Sequence, residues 1–219
     1  MMGIMIYAAA DAAKNGFEGP PLFLMYGIFG GMCVALGVMV IMQRVLVGEK
    51  RSGTAAWALS KPVTRTAFVV SRLVVNSIAI LLTAVIVPGV ILYVTLGLFS
   101  DLGWPSPLGF AVALLIVVLH TFYWIALVLM MGTLSESSSV VIAVPMAVYF
   151  WFWIGTTMFP PLVYISPLSL TFIPGQFNSL AGSLMAGEPV ISWLPLIVTV
   201  VSSVVFIVVA IWRFNRQEF

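Results

Sequence analysis

Gly48-Glu49-Lys50-Arg51-Ser52-Gly53-Thr54-Ala55-Ala56-Trp57-Ala58-Leu59-Ser60-Lys61-Pro62-Val63-Thr64-Arg65 lies between two long apolar runs. With Arg72 just beyond it, the stretch holds five of the chain's nine basic residues. The chain as a whole is 62% hydrophobic and only 7% charged. Charge at that local density marks a surface that something must touch, set between two segments that cross a membrane.

The flanking runs fix the fold class. A mean hydropathy of +1.18 over 219 residues excludes a soluble globule, whose apolar share is about half. Crossing about 30 Å of hydrocarbon takes about 20 apolar residues. Five runs qualify: Leu22 to Val45, Phe68 to Leu98, Leu108 to Met131, Val140 to Thr157 and Ile191 to Trp212. Lipid offers backbone polar groups no partner, so uncharged runs of this length form helices even where Val and Ile dominate. The expected fold is all-α: a polytopic transmembrane bundle of five spans, one domain over residues 1–219.

Charge then orients the bundle. Eight of the nine basic residues fall between Arg44 and Arg72 or in the tail at Arg213 and Arg216. The positive-inside rule places both regions in the cytoplasm. Five alternating spans put the Gly132 to Ser139 link on that side too. The outer segments then hold Asp11, Glu18, Asp101 and Glu188 with Lys14 alone, and the N-terminus is external. Met1 to Ala13 is too short to cross and has no basic region before it, so it does not read as a signal peptide. It reads as an interfacial helix or as the outer end of a span that the chain lacks.

Pro88 and Pro145 each remove a backbone donor inside a span and predict kinks. Trp104-Pro105-Ser106-Pro107 reads as an outer turn with Trp104 as an interfacial anchor, and Trp151 and Trp153 close the fourth span in the same way. Met158 to Val190 is dense in Pro and Gly yet rich in Phe, Leu, Val and Ile. That mixture predicts short helices dipping into the outer leaflet.

Chemistry-bearing groups are few. Gly27, Gly31 and Ala35 recur every four residues on the first span, where small residues let backbones approach closely; the neighbour is either another span or a second copy. His120, mid-way along the third span, is either a member of a transport pathway or a neutral, hydrogen-bonded packing residue beside Thr121 and Tyr123. No Asp, Glu, Lys or Arg lies well inside any span, so a proton relay lacks a second member. Cys33 inside the first span supports neither a disulfide framework nor a thiolate metal site and reads as a small hydrophobe. Phosphate-loop, H-E-x-x-H and G-x-S-x-G motifs are all missing from the sequence. No catalytic or metal-ligating residue is assigned, and no nucleic-acid contact.

Within the opening segment, Ser52 is expected to cap a short helix beginning at Gly53 and Thr54, with Glu49 near its positive end. Lys61 and Pro62 end that helix after Ser60, and Thr64 caps the next. Arg65 and Arg72 then share a face near the lipid headgroups. A connector resting on anionic lipid accounts for the charges. It does not account for a short Ala-rich helix bearing Trp57 between Gly53 and Pro62; an aromatic anchor of that kind suits a protein groove.

Three stretches carry a family resemblance. They are Glu49-Lys50-x-Ser52-Gly53-Thr54, Leu59-Ser60-Lys61-Pro62-x-x-Arg65 and Ser71-Arg72. Together they resemble the signature between the second and third spans of bacterial ABC-transporter permeases of the second export class (ABC-2 type). The family pattern is close to E-x-x-S-G-T, L-L-S-x-P-x-x-R and a Gly-Lys, which Ser71-Arg72 replaces here. The ending Trp212-Arg213-Phe214-x-x-x-Glu218-Phe219 is similar to the family's tail.

The resemblance implies a permease subunit, most naturally of an exporter. Its coupling helix would involve Glu49, Ser52, Gly53, Thr54, Trp57, Leu59, Pro62 and Arg65, seated in a separate ATPase subunit that binds ATP and Mg. It further implies a second permease copy or paralogue as partner and a re-entrant outer segment over residues 158–190. The family normally has six spans, so the resemblance implies that the first is missing here, either through a late start codon or through real loss. The rival readings are a stand-alone secondary carrier or channel, which predicts paired intramembrane charges or matched broken helices, and a membrane-embedded enzyme, which needs polar groups at membrane depth.

Overall fold

The computed structural model describes residues 27–61, 63–99, 104–173, 179–187, 189–190 and 192–217. Met1 to Ala13, the start of the first span at Leu22, the acidic residues expected outside and Glu218-Phe219 therefore lie outside the described residues. Among those described there is no strand. Among the described residues five helices are long and apolar enough to cross a membrane: Gly30–Arg51, Arg65–Leu98, Pro107–Leu134, Ser138–Met158 and Leu194–Asn215. The chain is an all-α, multi-pass membrane bundle.

The third span is its axis. Within its most apolar window 67% of residues are buried, against 22% for the second, fourth and fifth spans. Buried residues surround it: Ala113, Val117, Trp124, Ile125 and Val128 have almost no exposed surface. The first, fourth and fifth spans pack on it, as does the short helix Leu180–Ala186. Aromatic rings join the layers, with Tyr123 5.4 Å from Phe206 and Trp124 5.5 Å from Tyr149. The second and fifth spans leave Val-rich faces open, including Val74, Val75, Val201 and Val204, as helices bordered by lipid do.

The second span runs 34 residues, about 50 Å at 1.5 Å per residue, longer than the hydrocarbon layer. Its polar start at Arg65 and Arg72 lies at one end of that excess. Leu81–Ile86 forms a π-helical turn immediately before Pro88. Proline cannot donate, and its ring crowds the carbonyl four residues back. A widened turn just upstream absorbs that conflict and keeps the helix continuous.

At the other end of this span Trp104 lies against Gly97, where any Cβ would collide with the indole. Tyr93 packs 5.4 Å from the same ring, and Ser106 Oγ accepts from Gly109 N–H to start the third span. The Trp104 to Pro107 turn thus has the form expected. Trp151 is exposed as an anchor should be, but Trp153 is not. It turns into the protein, 5.2 Å from Phe172, because the segment after the fourth span folds back beside it.

That segment forms two 3-10 turns, Pro160–Tyr164 and Pro167–Leu170, before the helix Leu180–Ala186. Ser166 through Thr171 are buried. The glycine stripe on the first span faces this segment. A Cβ on Gly27 would strike the Thr171 carbonyl, and one on Gly31 would strike the Thr171 side chain. Ala35, one turn on, is fully buried.

Candidate functional site

Alternation of the five spans gathers three distant stretches at one end of the bundle: Arg44 to Arg72, Gly132 to Ser138, and the tail from Arg213. Besides the first span, the third and fifth finish at this end with their helix C-termini. The last carbonyls of a helix have no partner within it and carry a partial negative charge, so they attract cations and donors. Here they receive them. Lys50 Nζ lies 2.9 Å from the Gly132 carbonyl and 3.2 Å from that of Thr133. Gln217 Nε2 donates to the same Thr133 oxygen at 2.6 Å. Arg51 Nε donates to the Glu136 carbonyl at 3.1 Å. Arg65 Nη1 bridges the carbonyls of Asn215 and Gln217 at 2.8 and 2.6 Å.

Aromatic packing seals the same layer. Phe68 stacks on Phe214 with centroids 5.5 Å apart, and Phe214 is fully buried. Lys50 lies 6.0 Å over the Phe214 ring and Arg72 5.2 Å over Phe68. Sequence reading left Lys50, Arg51, Phe214 and Gln217 unassigned. The available signal was donors near the ends of two predicted helices that the topology returns to one side.

The short helix Thr54–Leu59 hangs from this frame. The first span runs on helically through Glu49, Lys50 and Arg51, which alters two expectations. Ser52 is not the N-cap of the short helix; it ends the preceding one, its N–H bonded to the Gly48 carbonyl at 2.9 Å. Gly53 takes the N-cap position with φ +72°, a left-handed backbone that glycine enters without steric cost. Nor does Glu49 sit at the short helix's positive end. It ion-pairs with Arg72 at 2.7 Å.

Thr64 does cap the second span, accepting from Ala67 N–H at 3.1 Å. Arg65 and Arg72, expected at the headgroups, instead turn to the tail and to Glu49. Helix i, i+7 spacing does place them on one face, but protein acceptors occupy that face.

The expected contact residues therefore divide. Glu49 and Arg65 are spent within the protein. Ser52, Gly53, Thr54 and Trp57 lie on the open surface, Trp57 being 67% exposed. Lys61 Nζ lies 5.6 Å over the Trp57 ring, and Ala55, 1% exposed, holds the opposite face of the helix to the bundle. Pro62, and the side chain of Leu59, lie outside what the structure describes. His120 is far from this end, at the centre of the third span, and Gly27 and Gly31 lie on its side of the first span. Among the described residues no cluster of His, Cys, Asp or Glu could hold a metal ion.

The frame has a mechanical consequence. A large aromatic is presented on a six-residue helix whose two ends are fixed, through charge-assisted contacts, to the first, second, third and fifth spans. Through its flanks the helix is thus joined to most of the bundle. Comparison with known protein families gives a match over residues 2–219 to a family described as ABC-2 family transporter protein. No curated protein matches the chain.

Proposed function

Since the chain belongs to the ABC-2 transporter family, and is thus a permease subunit of an ABC transporter, we propose that it serves an exporter whose ATP hydrolysis is supplied by a separate ATPase. The ATPase docks on the basic end of the bundle, with Trp57 inserted in its groove and Ser52, Gly53 and Thr54 at the rim. That end faces the cytoplasm, as its share of the basic residues favours. The reading is carried by one observation: Trp57 stands 67% exposed on a short helix whose other face Ala55 and Ala58 hold to the bundle. Glu49 and Arg65 act at one remove, holding the helix in position rather than touching the partner.

Nucleotide-driven movement of the ATPase shifts the short helix. The differential contact energy between the two states then lies at this surface, as any ligand-driven change requires. A second permease copy or paralogue completes the pathway, and the apolar faces of the spans suit an amphiphilic or lipid-like cargo. ATP and Mg belong to the partner.

The test is cross-linking. Thr54→Cys in a Cys33→Ala background is treated with a short bifunctional reagent in membranes containing the co-expressed ABC ATPase. A cross-linked pair whose yield changes with ATP is expected. If Thr54→Cys couples no better than Ser106→Cys at the opposite end of the bundle, the docking reading is wrong.

A further inference from the structure

His120 takes part in none of the contacts of the basic end. It is the chain's one histidine, lies at the middle of the 28-residue third span and has no exposed surface. Its ring nitrogens meet partners of opposite kind. Trp124 Nε1, one turn along the helix, lies 3.2 Å from Nε2, and the Pro167 carbonyl lies 2.9 Å from Nδ1. An indole N–H only donates and a carbonyl only accepts. With these two partners Nδ1 carries the proton and Nε2 is bare; the Gly31 backbone of the first span is a further acceptor beside the ring. The other tautomer would set N–H against N–H and lone pair against carbonyl, and the imidazolium would set N–H against the indole.

Pro167 belongs to no span. It opens the second short turn of the segment that folds back after the fourth span, and the segment reaches the mid-depth of the bundle at this point. Irregular backbone at such depth is tolerated only where protein or a water-filled cavity covers it. On its far side Thr171 sits in the notch that Gly27 and Gly31 leave in the first span. A glycine-lined seat has no side chains interlocked with its occupant, so the segment can leave without repacking the first span. On the third-span side, the neutral pair between His120 and Pro167 joins the span to this segment.

We infer that His120 is a positioning residue whose Nδ1–H bond to Pro167 seats the outer segment as a withdrawable plug between the first and third spans. Releasing that bond opens the cargo route. The plug's role in transport rests on the permease reading; its seating does not.

Thiol labelling of the full chain in proteoliposomes tests both parts. Ser169 is 4% exposed within the segment, so Ser169→Cys in a Cys33→Ala background reacts with N-ethylmaleimide only when the segment leaves its seat. His120→Ala is expected to speed labelling about ten-fold, as loss of a buried hydrogen bond shifts a local opening equilibrium. His120→Asn, whose amide N–H replaces the Nδ1 donor, restores slow labelling; His120→Gln, whose amide reaches the Nε2 position, does not. If the Ala variant fails to fold, the Asn and Gln variants carry the same comparison.

Equal labelling of Asn and Gln variants overturns the pin. So does an equal rise at Val117→Cys, a fully buried site on the same helix, because that reports global loosening. Adding the ATPase with ATP should raise labelling of the chain with His120 intact; no rise overturns the plug. Labelling without nucleotide needs neither ATP nor cargo, so its failure leaves the permease reading standing, and failed ATPase docking leaves the labelling result intact.

Discussion

Arg72 holds Glu49 with two arms of its guanidinium, Nη2 2.7 Å from one carboxylate oxygen and Nε 3.0 Å from the other. The pair closes the hairpin formed by the first span, the short helix and the second span. Two-point contacts of this kind are stronger and more directional than single ones. With side chains 35% and 22% exposed, solvent limits the gain. Glu49→Gln should therefore cost about 1 kcal/mol, read as thermal unfolding in detergent. The charge swap of Glu49→Arg with Arg72→Glu should recover most of that loss. A double-mutant cycle giving no coupling between the two positions would remove the clamp from the account.

Trp57 should behave in the opposite way. It contributes little to the bundle, so Trp57→Ala is expected to leave the melting midpoint almost unmoved, within about 0.5 kcal/mol. Yet an aromatic anchor at the centre of an interface commonly accounts for about 2 kcal/mol or more of binding. Affinity for the ATPase should thus fall at least about ten-fold, measured by titrating purified ATPase against the permease in nanodiscs. A large stability loss with unchanged affinity would make Trp57 a packing residue.

Span number, helix class and the charged hairpin were legible in the sequence because each depends on local hydropathy and local charge. The Thr64 cap was legible for the same reason: its partner is three residues away. What escaped was contact across distance. Lys50 was left unassigned and Arg65 was placed at the headgroups and in the coupling contact, since nothing in their own neighbourhood reveals that Gly132 and Asn215 end helices beside them. The first span was expected to end at Val45; in fact Glu49, Lys50 and Arg51 continue the helix, Lys50 and Arg51 reaching carbonyls at the bundle end and Glu49 accepting from Arg72. The Gly27 and Gly31 stripe was visible, but its occupant, Thr171, comes from a segment with no periodic pattern.

That stripe allows a contrast within one helix. Gly27→Ala and Gly31→Ala both place a Cβ inside Thr171 and should each destabilise the chain by about 1–3 kcal/mol through overpacking. Gly37→Ala, with nothing within 4 Å of the new Cβ, should instead stabilise by about 0.5–1 kcal/mol, as alanine does in helix interiors. Thr171→Ala should recover part of the loss at Gly31, where a side chain obstructs. It should recover none at Gly27, where the obstruction is a backbone carbonyl. Unfolding of the six variants in matched detergent checks the pattern; rescue at both glycines would mean that the segment shifts as a body.

The two carbonyl tethers at the basic end should prove interdependent. Lys50→Met keeps the apolar stem over Phe214 but leaves the Gly132 and Thr133 carbonyls short of a cation. It should cost about 1–2 kcal/mol. Arg65→Lys loses the planar fork that spans the carbonyls of Asn215 and Gln217, and should cost about 1 kcal/mol. Gln217 joins the two sites, since its side chain donates to Thr133 while its carbonyl accepts from Arg65. Substitutions that share a partner do not add, so the double variant should depart from the sum by at least about 0.5 kcal/mol. In ATPase-bound nanodiscs the same double variant should retain ATPase affinity, because Trp57 is untouched, while stimulation of hydrolysis by the permease falls. Loss of affinity together with stimulation would place Lys50 and Arg65 in the docking surface itself rather than in the frame behind it.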